Sequence, residues 1–234
     1  QTVLHATVMA PKWAEALDVL LDMAVRPTFD AGEFQREKQV ILEEVRGAIG
    51  EPDYLIDLEV QSALFPNHGY GRPILGTDAT VDGLDRDALQ RFWQTHYVPN
   101  RAILAIAGPM DEALVRATVN DKAAHWKRGP DVPSPPQLTE ATLPFISEIT
   151  GDFATHSIQL GWKLPSVEHP DIAALDILIA ALAQGRASAL NERLEIEQGI
   201  THGVWGYVLP RHGASLASVG LTPNHDTANQ CLTV

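Results

Sequence analysis

The sequence predicts an α+β protein organised as two domains, both incomplete. Three observations lead there: strand-like alternations and amphipathic helices occur in both halves, they do not follow a regular βαβ order, and a proline-rich stretch divides them. The first half opens at Thr2–Met9 with alternating, partly β-branched residues that suit a strand. Pro11 stands where the first turn of a helix tolerates proline, and Trp13, Leu17, Leu20 and Ala24 follow at helical spacing up to Arg26-Pro27. Asp30 can cap the next helix, with Glu33 in capping-box order, and that helix should reach about Gly50. A third helix covers Asp53 to Phe65, and a Gly- and Pro-rich loop follows at 66–73. Asp85 can cap a helix whose stripe is Leu89, Phe92, Trp93 and Tyr97, ending at Val98-Pro99-Asn100. Ala102–Ala107 reads as a short strand, and Asp111 to about Trp126 as a helix.

Prolines at 130, 133, 135 and 136 with no apolar periodicity make 131–143 the linker, so residues 1–130 and 144–234 are the expected domains. The second half has strands at Phe145–Thr150 and His156–Leu164, then helices at Pro170–Ala183 and Ser188–Glu197. Gly203–Leu209 and Ala214–Leu221 read as a hairpin turning at Arg211-His212-Gly213.

Composition narrows the function classes. A formal charge of −13 over 234 residues argues against a nucleic-acid backbone as the main partner, and 45 % hydrophobic residues suit a packed core rather than disorder. The densest apolar run, Ile172–Leu182, falls short of the roughly 20 residues that span a bilayer, so no membrane span is expected. Cys231 is the one cysteine, which fits a reducing cytoplasm or a disulfide-free periplasmic protein. With Gln1 in first place and strand-like alternation beginning at once, the sequence reads as a fragment or a processed chain.

The most chemically suggestive segment is 34–45. On a helix, Glu37, Ile41, Glu44 and Ala48 share one stripe, so two carboxylates interrupt an otherwise apolar face. Ionised carboxylates on a packed face require compensation, usually a metal or another cation. The alternative is a Glu-rich solvated face, in which Glu37 pairs with nearby lysine. Glu43 lies about 100° round the helix from Glu44 and belongs to solvent. No two of the nine histidines are three or four residues apart, so no helix carries a paired-histidine metal motif.

The run from Phe34 to Glu44 resembles the EK-x-V-x-x-E-E helix of M16 (pitrilysin/insulinase-type) zinc metallopeptidases. Phe65-Pro66-Asn67-His68-Gly69-Tyr70-Gly71-Arg72-Pro73-Ile74-Leu75-Gly76 resembles that family's FP-x-H-x-YG-x-PI-x-G loop, and His96-Tyr97-Val98-Pro99-Asn100 follows in family order. Ala187–Leu190 through Glu197-Gln198-Gly199-Ile200 is similar to the SSRL…EK-x-GL segment of the next domain.

The resemblance implies two α/β-sandwich domains, each a mixed or antiparallel sheet flanked by helices: the C-terminal portion of the zinc-bearing domain, then the beginning of the second. It implies that Glu44 is the distal zinc ligand and Glu37 an auxiliary glutamate behind the site. The two histidine ligands and the general-base glutamate of the H-x-x-E-H motif would lie upstream of Gln1, roughly thirty residues away by the family's spacing. The implied activity is zinc-dependent endopeptidase hydrolysis of unfolded peptides, with water activated by the metal, in a chamber closed by a second M16 half, fused or separate. This chain alone is expected to be inactive. Some family halves supply an Arg/Tyr pair that contacts the substrate; here the matching positions are Glu195 and His202. The rival implication is a non-catalytic M16-like subunit serving as chamber wall or assembly partner.

Overall fold

The computed structural model describes residues 2–131, 137–225 and 227–233. The chain forms two compact units, residues 1–40 with 79–134, and residues 41–78 with 135–234. Helix α2 (Ala31–Ile49) runs from the first into the second. Of the expected linker, residues 132–136 lie outside the described residues.

In the first unit, a 3-10 turn at Ala10–Lys12, with Pro11 inside it, leads into α1 (Trp13–Val25). Asp30 caps α2, its Oδ1 accepting from Gly32 N at 2.8 Å and Glu33 N at 3.0 Å. The capping box does not close, because the Glu33 carboxylate pairs with Arg36. Asp85 and Asp111 likewise cap α5 (Arg86–His96) and α6 (Glu112–Ala123), accepting from Ala88 N at 2.5 Å and Leu114 N at 2.7 Å. Helix α4 (Asp78–Asp82), a single short turn carrying no apolar period, is not anticipated by the sequence. The α5 stripe is only partly buried: Trp93 donates Nε1 to Ala24 O at 2.8 Å, whereas Phe92 is 54 % exposed and lies against His96.

The second unit contains α3 (Pro52–Leu64), strands β1 (Ile158–Leu164), β2 (Thr201–Leu209) and β3 (Ser215–Pro223), α7 (Ile172–Ala183), a π-helix at Asn191–Glu197 and a last turn, α8 (Ala228–Cys231). The strands form one antiparallel sheet in the order β1-β3-β2, with Leu160 opposite Val219 and Leu209 opposite Leu216. Central β3 has both faces covered, so Ser215–Leu221 is buried throughout. Ala217 and Val219 pack with Ile179 and Ala183 of α7, and Leu216 packs with Leu64 and Phe65 at the end of α3. Leu221 joins Leu194, Ile200 and Cys231. Glycines let the layers approach: a Cβ at Gly161 would stand 2.3 Å from Val60 Cγ1, and one at Gly220 would stand 2.0 Å from the Trp205 ring.

Three expected strands are not formed. Residues 2–9, 102–107 and 145–150 are paired in no ladder among the described residues, and Ile103 and Ile146 are 98 % and 94 % exposed. Alternation specifies an extended chain, but a strand exists only when another backbone accepts and donates its hydrogen bonds.

Candidate functional site

Both carboxylates singled out by the sequence lie on α2. The packed side of this helix is centred on Leu42 and Val45, with Ile41 and Ala48 half-buried beside them. Glu37 and Glu44 are exposed. This corrects the expectation of a packed carboxylate face: the stripe through 37, 41, 44 and 48 is the border of the buried side, where a charge keeps its hydration. No desolvation cost therefore calls for a compensating cation.

A different feature separates these two residues from the other acids of α2. Glu33 pairs with Arg36, and Glu43 pairs with Arg46 at 2.8 Å on the solvent side. Among the described residues the Glu37 and Glu44 carboxylates make neither ion pair nor hydrogen bond. Of the two cations adjacent to Glu37 in sequence, Arg36 pairs with Glu33, and Lys38 turns to the Asp82 and Leu84 carbonyls and the Asp82 carboxylate. Exposed carboxylates without partners are free to act as oxygen donors to an incoming group. They do not make a metal site by themselves: no group of three or more His, Cys, Asp or Glu side chains suited to a metal occurs among the described residues.

The family loop is built into the second unit. The buried His68 accepts from Tyr70 N at Nδ1 (3.1 Å), and Tyr70 stands edge-on to Phe65, donating its hydroxyl to His212 O at 2.7 Å. Gly71 is required by contact, since a Cβ there would lie 2.5 Å from Phe65 O. Three other histidines also serve local contacts, His96 with Arg101, His169 with Asp171 N and His212 with Glu168. Glu195 lies in the π-helix and accepts from Asn191 Nδ2 at 2.7 Å. His202 is exposed at an irregularity in β2 where the register shifts between Thr201 and Gly203.

Sequence reading missed a polar stripe on α3. Asp57 accepts from the Tyr207 hydroxyl at 2.6 Å, and Gln61 accepts from Arg211 at 2.6 Å. Burial, with the hydrogen bond and charge of Asp57 behind it, pushes the Tyr207 hydroxyl well above the usual tyrosine range. Burial pulls Arg211 below its ordinary value, opposed by Tyr70, Asp57 and Tyr207. The signal was present in the spacing of Asp53, Asp57 and Gln61 at four-residue steps among apolar neighbours.

An antiparallel sheet covered by helices, a capped helix with two unpartnered carboxylates and a loop packed through the close Gly71 contact together make an α+β chain. The chain belongs to the M16 peptidase family: residues 83–234 match the Peptidase M16 inactive domain and residues 1–78 match Insulinase (Peptidase family M16). It is 28 % identical over 210 residues to an uncharacterized zinc protease of Bacillus subtilis, YmxG, covering 88 % of this chain and 50 % of that protein. Its fold is similar to the peptidase M16 inactive domain structure from Pseudomonas fluorescens, with a TM-score of 0.83 at 20 % identity, covering 96 % of this chain and 55 % of the other. It is also similar to the first half of the periplasmic protease PqqL from Escherichia coli, with a TM-score of 0.64 at 18 % identity over 96 % of this chain and 49 % of the other. The chain spans about half the length of the curated relatives it matches. No described helix is long and apolar enough to cross a membrane.

Proposed function

We propose that this chain is the central part of a zinc-dependent endopeptidase acting on unfolded peptides, in which Glu44 supplies one carboxylate ligand and Glu37 supports it. The observation that carries the reading is the selective lack of partners: of the four glutamates on α2, the two that the family resemblance implies as ligand and auxiliary are the two left without a cation. When bound, zinc would supply an activated water and polarise the scissile carbonyl. The residues of this chain contribute one charged oxygen donor on a capped helix. The remaining ligands belong to an H-x-x-E-H segment outside residues 1–234, and residues 1–130 and 144–234 are portions of successive M16 domains. A second M16 half, fused or separate, would close the substrate chamber, as the half-length coverage of relatives suggests.

A non-catalytic subunit is the competing reading, favoured by the description of the domain matched by residues 83–234 as inactive. One experiment separates the two. The complete polypeptide should hydrolyse an unfolded peptide, lose that activity to a chelator and regain it with zinc, while residues 1–234 alone should show none. Absence of hydrolysis by the complete, zinc-supplied protein would favour the subunit. In the active protein, Glu37→Gln should lower the rate with a smaller loss of zinc than a ligand substitution causes, as a supporting role requires; such changes typically cost about 10- to 100-fold.

A further inference from the structure

Helix α3 meets the sheet along two parallel stripes. One is apolar, with Val60 and Leu64 lying over Gly161 of β1. The other is polar, and each of its members bonds a side chain of the sheet region. Asp53 Oδ1 accepts from Ser157 Oγ at 2.6 Å. Asp57 Oδ1 accepts from the Tyr207 hydroxyl at 2.6 Å and from Gln159 Nε2 at 3.1 Å. Gln159 Nε2 also reaches Ser218 Oγ on β3 at 2.7 Å. Asp57 Oδ2 accepts from Gln61 Nε2 at 2.6 Å, and Gln61 Oε1 accepts from Arg211 Nη2 at 2.6 Å. Gln61 thus relays between a carboxylate and a guanidinium that do not touch. The Arg211 guanidinium lies over the Tyr70 and Phe65 rings, 4.7 and 5.3 Å from their centroids.

Asp53, Asp57 and Gln61 lie in the segment 1–78 matched by the insulinase (M16) model, and Ser157, Gln159, Tyr207, Arg211 and Ser218 in the segment 83–234 matched by the M16 inactive-domain model. Apolar contact alone lets a helix slide over a sheet, whereas a chain of directional bonds permits one register. Helix α3 also inherits its position directly from α2. Only Gly50 and Glu51 separate them, and the join is bonded, Glu51 N to Ala48 O at 3.1 Å and Leu55 N to Glu51 O at 3.2 Å. Arg46 on the last turns of α2 also pairs with Asp78 at 3.4 Å.

We propose that the Asp53–Asp57–Gln61 stripe registers the α2–α3 corner on the sheet of the following domain, and that Asp57 is the positioning residue at its centre, fixing where Glu44 presents its carboxylate. The inference rests on the metal role proposed for Glu44. A ligand must be placed to within about 0.5 Å, which a two-residue joint can transmit from a fixed α3.

Asp57→Asn tests it, because the new amide would put one donor against the Gln61 donor or force Gln61 to turn a donor toward Arg211. In the complete polypeptide, Asp57→Asn should weaken zinc binding about 5- to 10-fold, measured with a competing chelating dye well below the melting temperature. Amide hydrogen exchange at residues 41–51 should rise with it. Tyr207→Phe, which keeps the shape and removes one bond, should show the same two effects at about 2- to 3-fold, and carries the test if Asp57→Asn does not fold. The double variant should be no worse than Asp57→Asn alone, since both act through one network. Wild-type zinc affinity in these variants overturns the positioning role, even where the melting temperature falls, provided Glu44→Gln has lost its zinc. If Glu44→Gln keeps zinc, the metal reading fails instead, and unchanged exchange at 41–51 then overturns the registration separately.

Discussion

Two regions of this molecule carry the same sequence pattern and end in different states. Residues 158–164, 201–209 and 215–223 alternate and form a three-stranded ladder; residues 2–9 and 102–107 alternate and are paired in none among the described residues. In the first case β3 receives a partner on each edge, and its faces are filled from α3 and α7. In the second, Leu104, Ala105 and Ile106 stay by Ala6, Thr7 and Val8 around a groove floored by Trp13 and Leu17 of α1, without backbone bonds between the two segments. A strand is a relation between segments, so a periodicity can specify an extended chain without specifying its pairing.

The contrast can be broken by truncating equivalent side chains. Leu216→Ala, at a fully buried site of β3, should cost about 2–5 kcal/mol in chemical denaturation. Leu104→Ala, 47 % exposed in the unpaired segment, should stay within about 0.5 kcal/mol. Similar losses at the two sites would show that 102–107 is packed like the sheet. The close approach of α3 to β1 is sharpened by Gly161→Ala, whose added methyl meets Val60 and should cost about 1–3 kcal/mol.

A smaller effect concerns alkaline stability. The folded state holds the Tyr207 hydroxyl protonated beyond its ordinary range, so the stability it lends is complete below the unfolded tyrosine value of about 10 and is lost as pH rises above it. Denaturant midpoints of Tyr207→Phe should therefore fall less steeply than those of the unaltered protein above about pH 10. Parallel curves would remove Tyr207 from the network.

Much of the helical architecture was legible because its signals are local. Asp30, Asp85 and Asp111 cap helices by side-chain bonds within three residues, and Pro11 sits in a first turn. The hairpin was legible for the same reason, with strands at 201–209 and 215–223 close to the expected 203–209 and 214–221. Burial was not. A helical wheel puts Glu37 and Glu44 in line with Ile41 and Ala48, but nothing in one helix says whether that line faces a neighbour or water. Leu42 and Val45, buried at 4 % and 2 % exposure, settle the side that packs. The bond from Asp57 to Tyr207, 150 residues away, is long-range, so only its helical half could be seen in the sequence.

The central claim is that Glu44 is a metal ligand, and the zinc content of the purified complete protein tests it most directly. The unaltered protein should carry close to one zinc per active half and the Glu44→Gln variant, folded to the same melting temperature, almost none. A Glu44→Gln protein that retains its full zinc would contradict the account.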